Sequence, residues 1–469
     1  MPYLNVDQVE SAITALATAN RTTVTQIFLP NKTSEQRTCS ALRVAAGNTR
    51  ARPSVYFLGG VHAREWGSSD ILVAFCQRLT AAYQQAAGIT IGTNNFTADD
   101  IAHIVRDLDI IVFPQANPDG RNFSMTVDAM WRKNRRPPDL THPDCFGVDI
   151  NRNYWFLWNY PQYFSSAAAV RSSTDPCNET YIGPGAQSEP ETNNIVWLMD
   201  QSPRVGYFID LHSFSEDILV SWGDDENQST DPDQNFGNPN YHGRRGAPGD
   251  AYGEYLPEVD DQTGVNLASG MRDAIAGVRG HQYLVEQSFQ LYPTSGASDD
   301  YFYSRHFSDP NKGKVITFVI EWGSPSNDTP FHPEYSEMRQ IIDEMVAGLL
   351  RFCLDVLALP VPDPTLEFNF MIVRPGETQT PQPPRLWIAA EGKYYTPGGQ
   401  VNVAFHSPTI HDPVVATLSG KADALGNFQA SQSGGRAFRF PCGEPLQVVA
   451  VDVASGLTSS VVTGEVDCQ

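Results

Sequence analysis

Apolar positions along the chain follow two periods, and the switching between those periods sets the predicted fold. Val6, Val9, Ile13 and Leu16 recur at helical spacing behind Asn5, a good N-cap, and predict an opening amphipathic helix. Leu42-Arg43-Val44 reads as a short strand, and Val55-Tyr56-Phe57-Leu58 as an unbroken apolar strand running into Gly59-Gly60. Ser68 or Ser69 then stands where it can cap a helix with the stripe Ile71, Leu72, Phe75, Leu79 and Tyr83. Ile110-Ile111-Val112-Phe113 is a further apolar strand, closed by Pro114 and the turn signal Asn117-Pro118-Asp119-Gly120. Tyr207–Leu211 and Val315–Ile320 have the same character. A last long helix is predicted from Ser336, with Met338, Ile341, Ile342, Met345, Leu349, Leu350, Cys353 and Leu357 inward, stopped by Pro360 and Pro362. Unbroken apolar strands separated by helices predict an α/β fold, a sheet covered on both faces.

After residue 358 the pattern changes. Residues 359–384 are rich in proline, threonine and glutamine and read as a linker, with one strand at Phe368–Val373. From 385 to 469 short alternating runs such as Val401–Phe405 and Leu446–Val451, with glycine turns between them, predict a small all-β sandwich. The expected division is therefore a large domain over 1–358, a linker, and a β-module over 385–469; a chain of 469 residues exceeds a typical single core.

Charge narrows the partners. With 54 acidic against 32 basic residues the net charge is −22, which repels phosphates and argues against nucleic acid. Cationic substrates suit it. No apolar run is long enough to span a membrane, and no basic start with an apolar core opens the chain as a signal peptide would. Seven cysteines are too few for a disulfide scaffold but allow one or two bridges.

Directly after Gly59-Gly60 comes His62, and three residues on Glu65; of the ten histidines only His62 begins an H-x-x-E pattern. Imidazole and carboxylate are ligands a catalytic zinc accepts, but the ion needs a third protein ligand. Function in open α/β sheets gathers at strand ends. His212 and Glu321 lie at the ends of two other apolar strands. Metal-assisted hydrolysis asks for such residues: ligands for an ion that lowers the pKa of water, and a carboxylate to relay protons.

His62-Ala63-Arg64-Glu65-Trp66, Asp210-Leu211-His212-Ser213-Phe214-Ser215 and the strand ending in Glu321 together resemble the zinc metallocarboxypeptidases of the pancreatic carboxypeptidase A/B type. Asn117–Gly120, Trp131–Arg135, Gly147–Asn153 and Tyr292–Asp300 follow in the family's order. The resemblance covers residues 1–358 and not the β-module. It implies a mixed, mostly parallel sheet with helices on both faces. It implies one Zn²⁺ per chain on His62, Glu65 and His212, with Glu321 as general base and Arg132 stabilising the oxyanion. It further implies that Asn151, Arg152 and Tyr292 hold the C-terminal carboxylate of a peptide or protein, with Arg64 as a secondary anchor. A family disulfide around the Asn151-Arg152 loop implies Cys145–Cys177. Cys442 and Cys468 are candidates for a second bridge, while Cys76 and Cys353 are expected free.

Asp299 occupies the family's position at the base of the pocket for the C-terminal side chain, and a carboxylate there implies release of Lys and Arg. Gly223 leaves the pocket wall open and Gln287 is polar where the basic-specific pattern has a small residue, so dual basic and hydrophobic specificity stays open. The acidic segment from Gly223 to Asp261 reads either as a rim loop steering cations or as a solvated insertion. The expected activity is a zinc exopeptidase, and the alternative on this scaffold is an N-acyl amino acid deacylase or a peptidoglycan peptidase. A secreted monomer is the expected form.

Overall fold

The structure, a computed structural model, describes residues 2–46, 53–202, 204–309, 312–359, 366–373, 385–395, 398–408, 416–423, 426–436, 442–453 and 458–468. The chain divides into two compact units, one reaching to Ala358 and one from Leu359 onward.

The first unit is built on an eight-stranded sheet. Its spatial order is Val24–Phe28, Ser40–Val44, Asp109–Phe113, Ser54–Gly59, Val205–His212, Ile316–Glu321, Asp217–Val220 and Leu284–Gln287. The four central strands run parallel, from Asp109–Phe113 to Ile316–Glu321. Antiparallel pairs flank them on both sides, and the last two strands are again parallel to each other. The sheet is thus mixed and mostly parallel, with helices packed on it, as the resemblance implies. Ser54–Gly59 is buried at every position, which accounts for its lack of alternation.

The opening helix spans Val6–Ala19 and buries Val6, Val9, Ile13 and Leu16. Asn5 accepts from the Gln8 amide and Gln8 returns a bond to the Asn5 amide, a capping box. The helix after His62 differs from expectation. It spans Gly67–Gln84 without a side-chain cap, and Ser68 and Ser69 lie inside its buried first turn. The Ser68 hydroxyl is committed elsewhere: it donates to the Leu211 carbonyl at 2.8 Å and accepts from the Trp322 indole at 2.9 Å. One side chain thereby ties this helix to the ends of two site-bearing strands. The long closing helix spans Tyr335–Ala358 and buries the expected stripe from Met338 to Cys353.

Among the described residues no helix is long and apolar enough to cross a membrane. Cys145 and Cys177 form a disulfide with Cα atoms 4.6 Å apart, and Cys39, Cys76 and Cys353 are buried and free. Cys442 is disulfide-bonded; the side chain of Cys468, its expected partner, lies outside the described residues.

The second unit has two four-stranded sheets. One holds Phe428–Arg436, Arg385–Gly392, Glu367–Val373 and Asp467–Cys468; the other holds Ala416–Lys421, Gln400–His406, Pro445–Asp452 and Val462–Glu465. Phe370, Ile388, Val403, Phe405, Val448 and Ala450 meet in one core between them. The linker reading of 359–384 needs correction at its centre. Glu367–Val373 pairs along its whole length with Arg385–Gly392, so this stretch belongs to the sandwich.

A buried joint behind the sheet carries an unusual acid. Asn134 donates to Glu189 at 2.8 Å and to Glu191 at 2.9 Å, and both carboxyls are fully buried. Burial lifts the Glu191 carboxyl from 4.5 to about 8, against the Asn134 bond and helped by neighbouring Glu189. Folded Glu191 keeps a proton that the unfolded chain loses near pH 4.5, so its contribution to stability falls as pH rises from there to about 8. Glu191→Gln keeps an acceptor for Asn134 and removes that slope. The stability of the variant relative to the parent is expected to rise between pH 5 and 8, by at most about 1.4 kcal/mol per pH unit, in urea titrations at each pH.

Candidate active site

The site grows from the carboxyl ends of the central strands. Ser54–Gly59 ends in a sharp turn at Gly60, whose φ of +68° belongs to the left-handed region, and a Cβ there would lie 3.1 Å from the Pro114 carbonyl oxygen. That turn delivers His62 and Glu65 over the sheet. Asn117, the cap of the helix Pro118–Thr126, then pins two chain segments with one amide: its Nδ2 donates to the Val61 and Lys133 carbonyls at 3.0 and 3.2 Å. The Ala63 amide adds a bond to the Arg132 carbonyl at 2.9 Å. His62 and Arg132, 70 positions apart in sequence, are held in register this way. In the sheet itself, Glu321 lies directly opposite His212 in the parallel ladder.

His62, Glu65 and His212 converge. His62 Nδ1 lies 2.8 Å from Glu65 Oε1, His212 Nδ1 lies 3.1 Å from Glu65 Oε2, and the two Nδ1 atoms are 2.9 Å apart. All three side chains are buried, and one ligand atom from each falls within 4.8 Å of the others. The outer nitrogens explain the orientation. His62 Nε2 faces Asp149 at 3.1 Å and His212 Nε2 faces Asp210 at 3.0 Å. A carboxylate on the outer nitrogen fixes the tautomer and turns the other lone pair inward. Two imidazole lone pairs and a carboxylate aimed at one point form a donor set that fits Zn²⁺.

Asp149 does more than orient His62. Its Oδ2 accepts from Arg132 Nε at 3.0 Å and its Oδ1 from the Asn151 amide at 3.0 Å. Burial opposes its ionisation, but Arg132 and His62 hold its carboxyl well below the ordinary range. By accepting that amide Asp149 caps the short turn Ile150–Arg152, so one acid sets both Arg132 and the Asn151-Arg152 pair. The Cys145–Cys177 bridge closes the 32-residue span around this turn.

One cleft is lined by His62, Arg132, Asn151, Arg152, His212, Tyr292, Asp299 and Glu321. Asn151 Oδ1 accepts the Ser298 amide at 2.8 Å, and two guanidinium nitrogens of Arg152 are tied to the Arg171 and Asn151 carbonyls. Glu321 is lifted by burial to about 7, an effect that His212 opposes and Glu65 reinforces. Asp299 accepts from the Ser288 hydroxyl at 3.0 Å.

Three expected site residues are placed otherwise. Arg64 pairs with Glu179 at 3.2 Å and lies over the Phe331 ring, 4.1 Å from its centroid. Gln287 is spent on scaffolding: its amide donates to the Trp222 and Asp225 carbonyls and to Asn227, and accepts the Asn227 amide. It is therefore not a pocket-shortening polar group. Gly223 admits Asp300: its amide donates to Asp300 Oδ1 at 2.9 Å, and a Cβ would meet Thr294 Oγ1, of the cleft wall, at 2.7 Å. The acidic segment behind it is no simple rim loop, because Asp224 and Asp225 are fully buried. Sequence reasoning passed over Asp149 and Asp210. Their only signal was position, two residues ahead of Asn151 and of His212.

The family profile described as "Zinc carboxypeptidase" matches residues 9–348. This chain belongs to the zinc carboxypeptidase family. It is 28% identical over 274 residues to carboxypeptidase A4 of Mus musculus, covering 58% of this chain and 53% of the relative. Carboxypeptidase B of Rattus norvegicus is 26% identical over 354 residues, covering 74% and 69%. Metallocarboxypeptidase A of Trichophyton tonsurans is 33% identical over 198 residues, covering 41% of each. The chain thus spans about half the length of several curated relatives it matches. The fold is shared with carboxypeptidase A of Helicoverpa armigera, with TM-score 0.58 and 22% identity over 76% of this chain and 74% of that one. It is also shared with bovine thrombin-activatable fibrinolysis inhibitor in complex with a tick carboxypeptidase inhibitor, with TM-score 0.57 and 20% identity over 76% and 98%.

For a family whose members carry zinc, the carboxylate behind His62 becomes a measurable element. Asp149→Asn is expected to weaken Zn²⁺ binding about 10- to 100-fold in chelator competition.

Proposed function

We propose that the chain is a zinc-dependent exopeptidase that releases single residues from the C-termini of peptides or proteins, with preference for Lys and Arg. The observation carrying this reading is the cleft itself, where a His-Glu-His donor set, a carboxylate and two arginines face one space. Zn²⁺, when bound by His62, Glu65 and His212, supplies Lewis acidity and a water of lowered pKa.

The chain's own residues do the rest. Glu321 accepts a proton from the attacking water and returns it to the leaving amine. Arg132, fixed by Asp149, offers positive charge where the carbonyl oxygen becomes an oxyanion. Arg152 keeps its remaining guanidinium edge for the substrate's terminal carboxylate, with Asn151 and the Tyr292 hydroxyl beside it. Asp299, in the same cleft, matches a cationic side chain. The disulfides support an oxidising, extracellular compartment.

The test is C-terminal trimming of a mixed peptide pool followed by mass spectrometry. Lys and Arg are expected to leave first, and a chelator to stop the reaction. Release of no C-terminal residue by zinc-loaded protein, or turnover only of N-acyl amino acids, sinks the reading. Glu321→Gln is expected to lower kcat about 10²- to 10⁴-fold with zinc content unchanged by atomic absorption. Asp299→Ala is expected to abolish the preference for hippuryl-arginine over hippuryl-phenylalanine.

A further inference from the structure

Behind the cleft floor lies a group of acids larger than one specificity carboxylate requires. Asp299 faces the cleft, and its neighbour Asp300 accepts the Gly223 amide with one oxygen. The other oxygen of Asp300 is buried without a hydrogen-bond partner, and so are both oxygens of Asp224. Asp224 and Asp300 are each 0% exposed. Deeper in, Asp224 and Glu254 share one cation: each sits 3.2 Å from Arg245 Nε. Glu254 also takes the Tyr252 hydroxyl at 2.7 Å and the Phe236 amide at 2.6 Å. Asp225 beside them accepts the Gly246 amide at 2.6 Å.

The charge balance is lopsided. Five carboxyls, Asp224, Asp225, Glu254, Asp299 and Asp300, with buried Asp210 acting on Asp299 from the sheet, are set against two cations, Arg245 beside Asp224 and Glu254 and Arg152 near Asp300. Arg152 is already committed to carbonyls and to the cleft. Buried acids in that ratio cannot all ionise together, because each unpaired charge adds a desolvation cost and repels the next. Burial raises all five above the ordinary range, Asp225 to about 7, and Asp299 raises Asp300 further. Asp300 keeps one buried oxygen with no donor to neutralise it, and Asp224 has only the cation it shares with Glu254.

We propose that Asp299, Asp300 and Asp224 act as one proton-sharing cluster beneath the specificity pocket, from which an entering guanidinium or ammonium group displaces a proton to solvent. This rests on the basic-pocket reading above and deepens it. Asp299 meets the substrate cation, while Asp300 and Asp224 are positioning residues that act through it. The cluster reconciles two demands. An empty pocket floor avoids a stack of bare buried charges, and an occupied one presents full negative charge to the cation. Neutral side chains enter without the proton exchange. Selectivity between basic and apolar C-terminal residues then depends on pH.

Calorimetric binding of L-arginine and L-phenylalanine to the zinc-loaded full chain, in two buffers of different ionisation heat, counts the protons. Arginine is expected to release about half a proton or more beyond phenylalanine between pH 6 and 7.5. Equal counts overturn the proposal. In kinetics, the ratio of KM for hippuryl-phenylalanine to KM for hippuryl-arginine is expected to rise about tenfold from pH 5.5 to 8. In Asp224→Asn one like charge is gone, so the midpoint of that rise is expected about one pH unit lower. An unmoved midpoint overturns the role of Asp224. An arginine preference that is the same at every pH removes the shared cluster alone. No arginine preference at any pH removes the basic pocket with it.

Discussion

A single buried carboxylate, Asp149, is the contact on which the geometry of the cleft depends. It holds the outer nitrogen of His62, the Nε of Arg132 and the amide of Asn151 at once. These three groups come from separate chain segments and face the same cleft. A charge-assisted hydrogen bond in a water-poor interior is stiff, and a carboxylate with four lone-pair directions can satisfy three partners without strain. The cost of burying Asp149 is offset because Arg132, its side chain 11% exposed, stands against it as the opposite charge. Loss of either one would leave the other uncompensated, an effect of several kcal/mol rather than tenths.

Much of the fold was legible because its central strands are covered on both faces. Unbroken apolar runs such as Val55–Leu58 allow few readings, and the residues that follow them must sit at one edge of the sheet. That logic found His62, His212 and Glu321. It also explains what stayed hidden. Asp149 acts by pairing with His62 and Arg132, distant in sequence, and nothing local marks such partners; Asp210 meets His212 two residues on along one strand face, and only that spacing marks it. Ser68 looked like a helix cap because serine near a helix start usually is one; here the hydroxyl bridges Leu211 and Trp322 instead. Glu367–Val373 was half concealed by the proline-rich residues on either side. Gln287 was assigned to the pocket from its place in a motif, whereas its amide is consumed by the backbone around Trp222 and Asp225.

The acidic balance of the chain reads differently with the structure in hand. A net charge of −22 suggests a solvated acidic surface. Part of that charge instead lies inside, at Glu189, Glu191, Asp224, Glu254, Asp299 and Asp300. Formal charge counted from sequence overstates the field of the folded molecule wherever such groups keep their protons. The first unit places these acids in two groups, one bracing Asn134 and one under the cleft.

The order of the strands has a consequence for biosynthesis. The site draws on His62 near the start of the first unit and on Glu321 near its end, and the strand carrying Glu321 sits in the middle of the sheet. Contacts of such long sequence separation form late. A nascent chain emerging from the ribosome therefore cannot assemble this cleft until nearly the whole first unit has been made.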